Sequence, residues 1–152
     1  MDQPLLRQPV EWVLDDQSLA SFCKEWHLAR LLAVDTEFMR VDTYYPKAAL
    51  IQINDGKCNY LIDPLQITDW QPLADVLTAP AVLKAFHANS EDLDVFYHLL
   101  GVLPSPLFDT QIAGALVGLG NGVGYGNLVA SVLSVQLPKG ETRSNWLARP
   151  LT

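Results

Sequence analysis

Asp35 and Glu37 close the stretch Leu31-Leu32-Ala33-Val34-Asp35-Thr36-Glu37-Phe38, and their spacing is the first sign of chemistry in the chain. Four apolar residues followed by Asp-Thr-Glu read as a β-strand that is buried for most of its length and carries acids at its far end. Strand side chains alternate faces with a period of two, so the two carboxylates share a face. Held side by side, they repel each other and are costly to keep ionised unless a cation lies between them. A metal site and a pair of solvated acids at a strand end both satisfy this tripeptide alone.

The elements that would have to position these acids follow from the periodicities. Val10 to Leu14 reads as a short strand, and Asp15 or Asp16 caps a helix to about Trp26 with Leu19, Phe22, Cys23 and Trp26 on its buried face. After the Asp35 strand, residues 39–47 read as a loop. Ala48 to Asn54 is the next strand, Asp55-Gly56 a hairpin turn, and Asn59 to Asp63 a third strand. Thr68 or Asp69 is the expected cap of a helix through Leu77, and Ala81 to Phe86 a fourth strand. His87-Ala88-Asn89-Ser90 turns into a helix from about Ser90 to Leu100, closed by Gly101, with Leu93, Phe96, Tyr97 and Leu100 as its buried stripe. Asp92 is then in the first turn, off that stripe and near a strand end. Leu107-Phe108 is a fifth short strand, Asp109-Thr110 opens a helix to about Gly118, and a short helix runs from about Asn127 to Leu133. An antiparallel meander followed by alternating helices and strands predicts an α/β protein of the ribonuclease-H-like fold, with a mixed five-stranded sheet flanked by helices.

With 152 residues the chain suits one domain with a real core. It is 49% hydrophobic and 18% charged, a globular composition. No like-charge run, low-complexity tract or internal repeat interrupts it. It opens Met1-Asp2-Gln3-Pro4, without a basic leader and apolar run, and has no apolar stretch of membrane-spanning length. The expectation is a cytoplasmic protein without a membrane partner. Cys23 and Cys58 have no metal or redox spacing and read as reduced packing residues. A net charge of −7 argues against a basic nucleic-acid-binding surface. An enzyme that holds phosphate through divalent cations, however, needs local carboxylates instead.

Four segments carry a family resemblance. Asp35-Thr36-Glu37-Phe38 on a strand, His87-Ala88-Asn89-Ser90-Glu91-Asp92-Leu93 opening a helix, Phe108-Asp109-Thr110-Gln111, and Arg143-Ser144-Asn145-Trp146-Leu147-Ala148-Arg149-Pro150-Leu151 together resemble ribonuclease D, from about Val10 to the last residue. That family comprises 3′-to-5′ exoribonucleases of the DEDD superfamily. The resemblance implies two Mg²⁺ or Mn²⁺ ions, with Asp35 bridging both, Glu37 completing the site on the nucleophile side and Asp92 holding the ion on the leaving-group side. It further implies RNA 3′ ends, tRNA precursors among them, as substrates. The family's Tyr-x-x-x-Asp motif follows the Arg-Pro-Leu-Thr that is here Arg149 to Thr152. The expectation is therefore a single exonuclease domain, 1–152, C-terminally incomplete, with reduced activity, helical domains beyond it, and a sheet surface left uncovered or covered by a second copy. Asn145 stands where many relatives have Asp.

Other residues are weighed against blander roles. Phe38 matches a position that packs on terminal bases, or is a core phenylalanine. Thr36 and His87 are candidate substrate contacts, His87 equally a hydrogen-bonded structural residue. Tyr44 and Tyr45 offer stacking faces for single-stranded bases, or are turn residues beside Pro46. Asp63 and Asp109 are explained by turn formation and capping, although the resemblance covers Asp109, and Lys139 and Arg143 by a solvated loop. The glycines from Gly118 to Gly126 fit neither G-x-G-x-x-G nor Gly-Lys-Ser/Thr and read as a connector. Ser90 near His87 lacks the G-x-S-x-G turn of a nucleophile. The competing functions are a DNA 3′-to-5′ exonuclease and a non-catalytic nucleic-acid- or protein-binding module.

Overall fold

The computed structural model of the protein describes residues 8–40, 43–138 and 145–150. Strands β1 (Val10–Val13), β2 (Leu31–Met39), β3 (Lys47–Asn54), β4 (Asn59–Ile62), β5 (Leu83–Phe86) and β6 (Leu107–Asp109) alternate with helices α1 (Asp16–Trp26), α2 (Gln71–Thr78), α3 (Ser90–Leu100), α4 (Thr110–Leu116) and α5 (Tyr125–Leu133). They form one mixed sheet of order β1-β4-β3-β2-β5-β6. The β2-β3-β4 meander is antiparallel, whereas β1 on β4, β5 on β2 and β6 on β5 are parallel. The sheet thus has six strands rather than the five expected. Val10–Val13 joins β4 at its outer edge, and the pairing continues outward where the Asn59 N–H donates to the Pro9 carbonyl. Lys139 and Arg143 lie outside the described residues, and among the described residues no helix is long and apolar enough to cross a membrane.

Alternation along β2 separates two environments. Leu32, Val34 and Thr36 are buried, joining Ile51, Ile53, Ile62 and Phe86 under the helices, with Leu19, Trp26, Leu73, Val76 and Phe96 supplied from α1, α2 and α3. The ladder aligns Asp35 with Gln52, Gln52 with Leu61, and Leu61 with Trp12. Cross-strand partners share a face. The opposite face therefore carries Asp35 and Gln52 together with Trp12, Leu31 and Phe108, three apolar residues open to solvent at 47% to 49% exposure.

Local chemistry sets the ends of the elements. Asp15 caps α1 by accepting from the Ser18 N–H at 2.7 Å. Gly101, at φ 72°, closes α3 in the left-handed conformation that an L side chain would disfavour. Neither Thr68 nor Asp69 is the N-cap of α2, which is Trp70. Both are tied to α1, because the Asp16 carboxylate accepts from the Thr68 and Asp69 N–H groups at 2.8 and 3.0 Å and from the Thr68 hydroxyl, while Asp69 Oδ1 accepts from the Gln71 N–H at 3.1 Å where α2 begins.

Two cations act as internal fasteners. Lys84 is fully buried on β5, and its ammonium donates to the carbonyls of Ala79, Val82 and Ser105 at 2.6 to 3.0 Å. Burial lowers its pKa to about 8, while the three carbonyls match the three donors of the charged form. Arg149 grips Asp63 through Nε at 2.8 Å and through Nη2. The same Nη2 donates to the Ala49 carbonyl at 2.9 Å. Ala49 is the extra residue of a β-bulge, since Glu37 pairs with Leu50 and Phe38 with Ala48. The guanidinium thus ties the bulged residue of β3 to Asp63 at the end of β4.

Candidate active site

Asp35 and Glu37 stand on the last turns of the β2 pleat, beside the Ala49 bulge that interrupts alternation before Phe38. Asp35 is exposed on the open face and accepts from the Gln52 Nε2 at 3.2 Å; Glu37 is half-buried. Asp92 reaches the same strand from the helix side and is only 7% exposed. Its Oδ1 accepts from the Thr36 N–H at 3.0 Å and from the Thr36 hydroxyl at 2.6 Å.

This burial corrects the expected stripe of α3. Asp92, Val95 and Phe96 are its buried residues, whereas Tyr97 is 56% exposed. The helix is rotated so that a polar side chain, satisfied by Thr36, faces the sheet. Thr36, expected as a substrate contact, is set by its side chain to orient Asp92. It is buried and its hydroxyl is committed to Asp92, which makes it a positioning group.

The electrostatics tie the three acids together. Burial, then the charges of Asp35 and Asp92, push Glu37 up to about 7. Burial chiefly, with Asp35 adding to it against the Thr36 hydrogen bonds, raises Asp92 to about 6. Loss of hydration also raises Asp35, opposed by the Thr36 N–H and by the nearby His87. Asp35 is exposed, so water screens its share of this effect. Three carboxylates that resist ionising together form a place where positive charge is wanted.

The turn carrying His87 and leading to Asp92 is pinned from β6. Asp109 accepts from the N–H groups of Ala88, Asn89, Gln111 and Ile112 at 2.7 to 3.2 Å. Burial works to raise its pKa, but these four donors together hold it below the usual carboxylate range. They also hold Ala88 at φ 58°, a conformation that costs a non-glycine residue on the order of 1 kcal/mol. Asp109 is thus a cap and a fastener, as its place before Thr110 suggested, and Asp63 is a turn former that also anchors Arg149. His87 Nδ1 lies 2.9 Å from the Thr110 hydroxyl oxygen, its ring packs edge-on to Tyr125 at 5.5 Å, and its buried Nε2 has no partner among the described residues. Phe38 is half-buried beside Glu37.

Gln52 and Tyr125 escaped the reading of the sequence. Gln52 left a signal as the single polar residue inside Ala48-Ala49-Leu50-Ile51-Gln52-Ile53; nothing local marks Tyr125. A cleft of about 550 Å³ lined by Glu25, Leu31, Asn54 and Lys57 lies at the other end of β2 and contains none of Asp35, Glu37 and Asp92.

Asp35, Glu37 and Asp92 offer only carboxylate oxygens, the hard donors that Mg²⁺ and Mn²⁺ take, and a cation would relieve their repulsion. The donor set therefore fits. The cage is not closed: among the described residues no three His, Cys, Asp or Glu side chains converge as a ready-made metal site. One reason is visible in Asp92, whose Oδ1 is turned to Thr36.

Comparison with known proteins places this geometry in context. The family model for 3′-5′ exonucleases matches residues 10–152. Ribonuclease D of Pseudomonas paraeruginosa is 56% identical over 143 residues, which are 94% of this chain and 38% of that protein. The crystal structure of Escherichia coli RNase D, described as an exoribonuclease involved in structured RNA processing, superposes with a TM-score of 0.92 at 46% identity. The match covers 95% of this chain and 39% of that one. Trypanosoma brucei RNase D in complex with RNA U12 shares the fold with a TM-score of 0.86 at 22% identity, over 97% of this chain and 56% of that one. The chain spans well under half the length of the curated relatives it matches.

Proposed function

The chain belongs to the 3′-5′ exonuclease family, and from that premise we propose that it is the acid-bearing part of an exoribonuclease that removes nucleotides from RNA 3′ ends, tRNA precursors among them. The observation that carries this reading is the meeting of Asp35, Glu37 and Asp92 at the end of β2, with Glu37 and Asp92 pushed up to about 7 and about 6 by burial and by one another. Metal use is general in the family; two Mg²⁺ or Mn²⁺ ions held by these acids are part of the proposal. When bound, such ions lower the pKa of an attacking water and neutralise charge on the departing 3′ oxygen.

The chain's own residues do the rest. Thr36 fixes the direction of Asp92, Gln52 fixes Asp35, and the Asp109-pinned turn sets His87 beside them. Because the Thr110 hydroxyl donates to the Phe86 carbonyl, His87 bonds it through Nδ1–H, which leaves Nε2 as an acceptor for a hydroxyl of the substrate. Phe38 is left to pack against the terminal base. No covalent intermediate is needed. The open face beside Asp35 is where helical segments of a longer protein, bringing the remaining acid and a tyrosine, would cover Trp12, Leu31 and Phe108; a second copy of the chain is the alternative cover.

Matched end-labelled RNA and DNA strands, incubated with Mg²⁺, Mn²⁺ or a chelator, test the reading. Stepwise shortening of RNA from the 3′ end that the chelator stops is the expected result. Preference for DNA would reassign the substrate, and binding without shortening, in this chain and in one extended beyond Thr152, would leave a non-catalytic module.

A further inference from the structure

Tyr44, Tyr45, Tyr97 and His98 form an aromatic group that neither the core nor the acid site uses. Tyr45 and His98 overlap with ring centroids 3.8 Å apart and planes tilted by 39°. Tyr44 stands edge-on to Tyr45 at 4.9 Å, and Tyr97 edge-on to His98 at 5.6 Å. All four are exposed, Tyr44 to 88%. The turn does not depend on these rings. Pro46 is its buried residue, and the Thr43 hydroxyl closes it by donating to the Tyr45 carbonyl at 2.8 Å. Large aromatic faces held in water by their neighbours rather than buried mark a binding surface.

Its place is set by two independent paths from the acids. His98 is six residues beyond Asp92 on α3, an axial distance of about 9 Å. Arg40 is three residues beyond Glu37 along β2, about 10 Å, and its guanidinium bonds Asp94 of the same helix at 3.5 Å. The aromatic group and a half-exposed arginine thus adjoin the acid site at a distance that one or two nucleotides span.

We propose that Tyr44, Tyr45 and His98 form a base-stacking subsite for single-stranded nucleic acid, receiving bases on the 5′ side of the nucleotide held at Asp35, Glu37 and Asp92. This rests on the exonuclease reading for its direction. Every base has a π-face, so such a subsite takes strands without reading their sequence. It also suits a chain with a net charge of −7, whose grip on a strand cannot come mainly from phosphate contacts.

The test is fluorescence anisotropy with a 5′-labelled twelve-residue oligoadenylate, in chelator so that nothing is consumed, beside an equal strand with abasic residues near its 3′ end. Tyr44→Ala and His98→Ala are expected to weaken binding of the oligoadenylate about tenfold each, to leave the abasic strand unchanged, and to keep the wild-type circular dichroism. Tyr44→Phe is expected to bind as wild type. Equal losses on both strands, no loss on either, or no measurable binding by the wild-type chain would each overturn the subsite. Shortening of the same strand on adding Mg²⁺ is scored separately. Base-dependent binding without shortening removes the exonuclease reading and keeps the subsite; shortening by a chain indifferent to both alanine variants does the reverse.

Discussion

Asp92→Asn is expected to abolish RNA turnover while raising the stability of the metal-free protein. A carboxylate that holds a cation at a phosphoryl centre is lost, and removal of a comparable electrostatic group costs on the order of 10²- to 10³-fold in rate. The same substitution relieves the fold. Asp92 is buried and its pKa is raised to about 6, so keeping it ionised at pH 8 works against folding, whereas asparagine carries no charge. Its Oδ1 still accepts from the Thr36 N–H and hydroxyl, the two bonds that orient it. A shift of about two units corresponds to roughly 3 kcal/mol at most, and the new amide N–H₂ gives back part of that. Urea unfolding at pH 8 in chelator should therefore show a midpoint at or above that of the wild type, alongside loss of shortening of a labelled RNA. Asp35→Asn should also lose turnover, with little change in stability because Asp35 is exposed. Retained turnover in either variant would overturn the assignment of the acids.

The second large effect is an inverted dependence of stability on pH. Glu37 and Asp92 have folded pKa values of about 7 and about 6 against ordinary values of 4.5 and 3.8. Between roughly pH 4 and 7 the folded protein thus binds more protons than the unfolded chain, and stability falls as pH rises. Below pH 4 the opposite holds. Asp55, Asp63 and Asp109 are held below the carboxylate range by their hydrogen bonds, so their contribution is present above the unfolded pKa and is lost as pH falls. The metal-free protein should be most stable near pH 5, with a Tm about 5–10 °C lower at pH 8. Glu37 contributes less than its shift suggests, because it is only half-buried and water screens it. Millimolar Mg²⁺ or Mn²⁺ should restore much of the loss at pH 8, since binding to the folded state alone stabilises it. A Tm that rises steadily from pH 5 to 8 in chelator would contradict this electrostatic picture.

How far the sequence could be read depended on the range of the interaction involved. Strand β2 was legible because its pattern is local, as was α3 between its turn and Gly101. The orientation of α3 was not. A stripe drawn through Leu93, Phe96, Tyr97 and Leu100 follows apolar letters, whereas the helix turns on Asp92, whose partner Thr36 is 56 residues away. Lys84 hides in the same manner, since a lysine in a strand reads as a surface residue until three backbone carbonyls are found around it. Asp16, one of the two expected caps of α1, instead holds the Thr68 turn, and β1 pairs with β4, whose Asn59 is 49 residues beyond Val10. The acids on one strand could be paired by counting; the aromatic group of Tyr44, Tyr45, Tyr97 and His98 could not, because it joins a connector to a helix across the sheet's end.

Mn²⁺ binding tests most directly whether Asp35, Glu37 and Asp92 act as one divalent-cation site. Electron paramagnetic resonance of free Mn²⁺, titrated with the chain at pH 8, should show uptake that Mg²⁺ competes away and that Asp35→Asn and Asp92→Asn each abolish. Uptake of Mn²⁺ that both variants leave unchanged, or no uptake by the wild-type chain at millimolar ion, would contradict it.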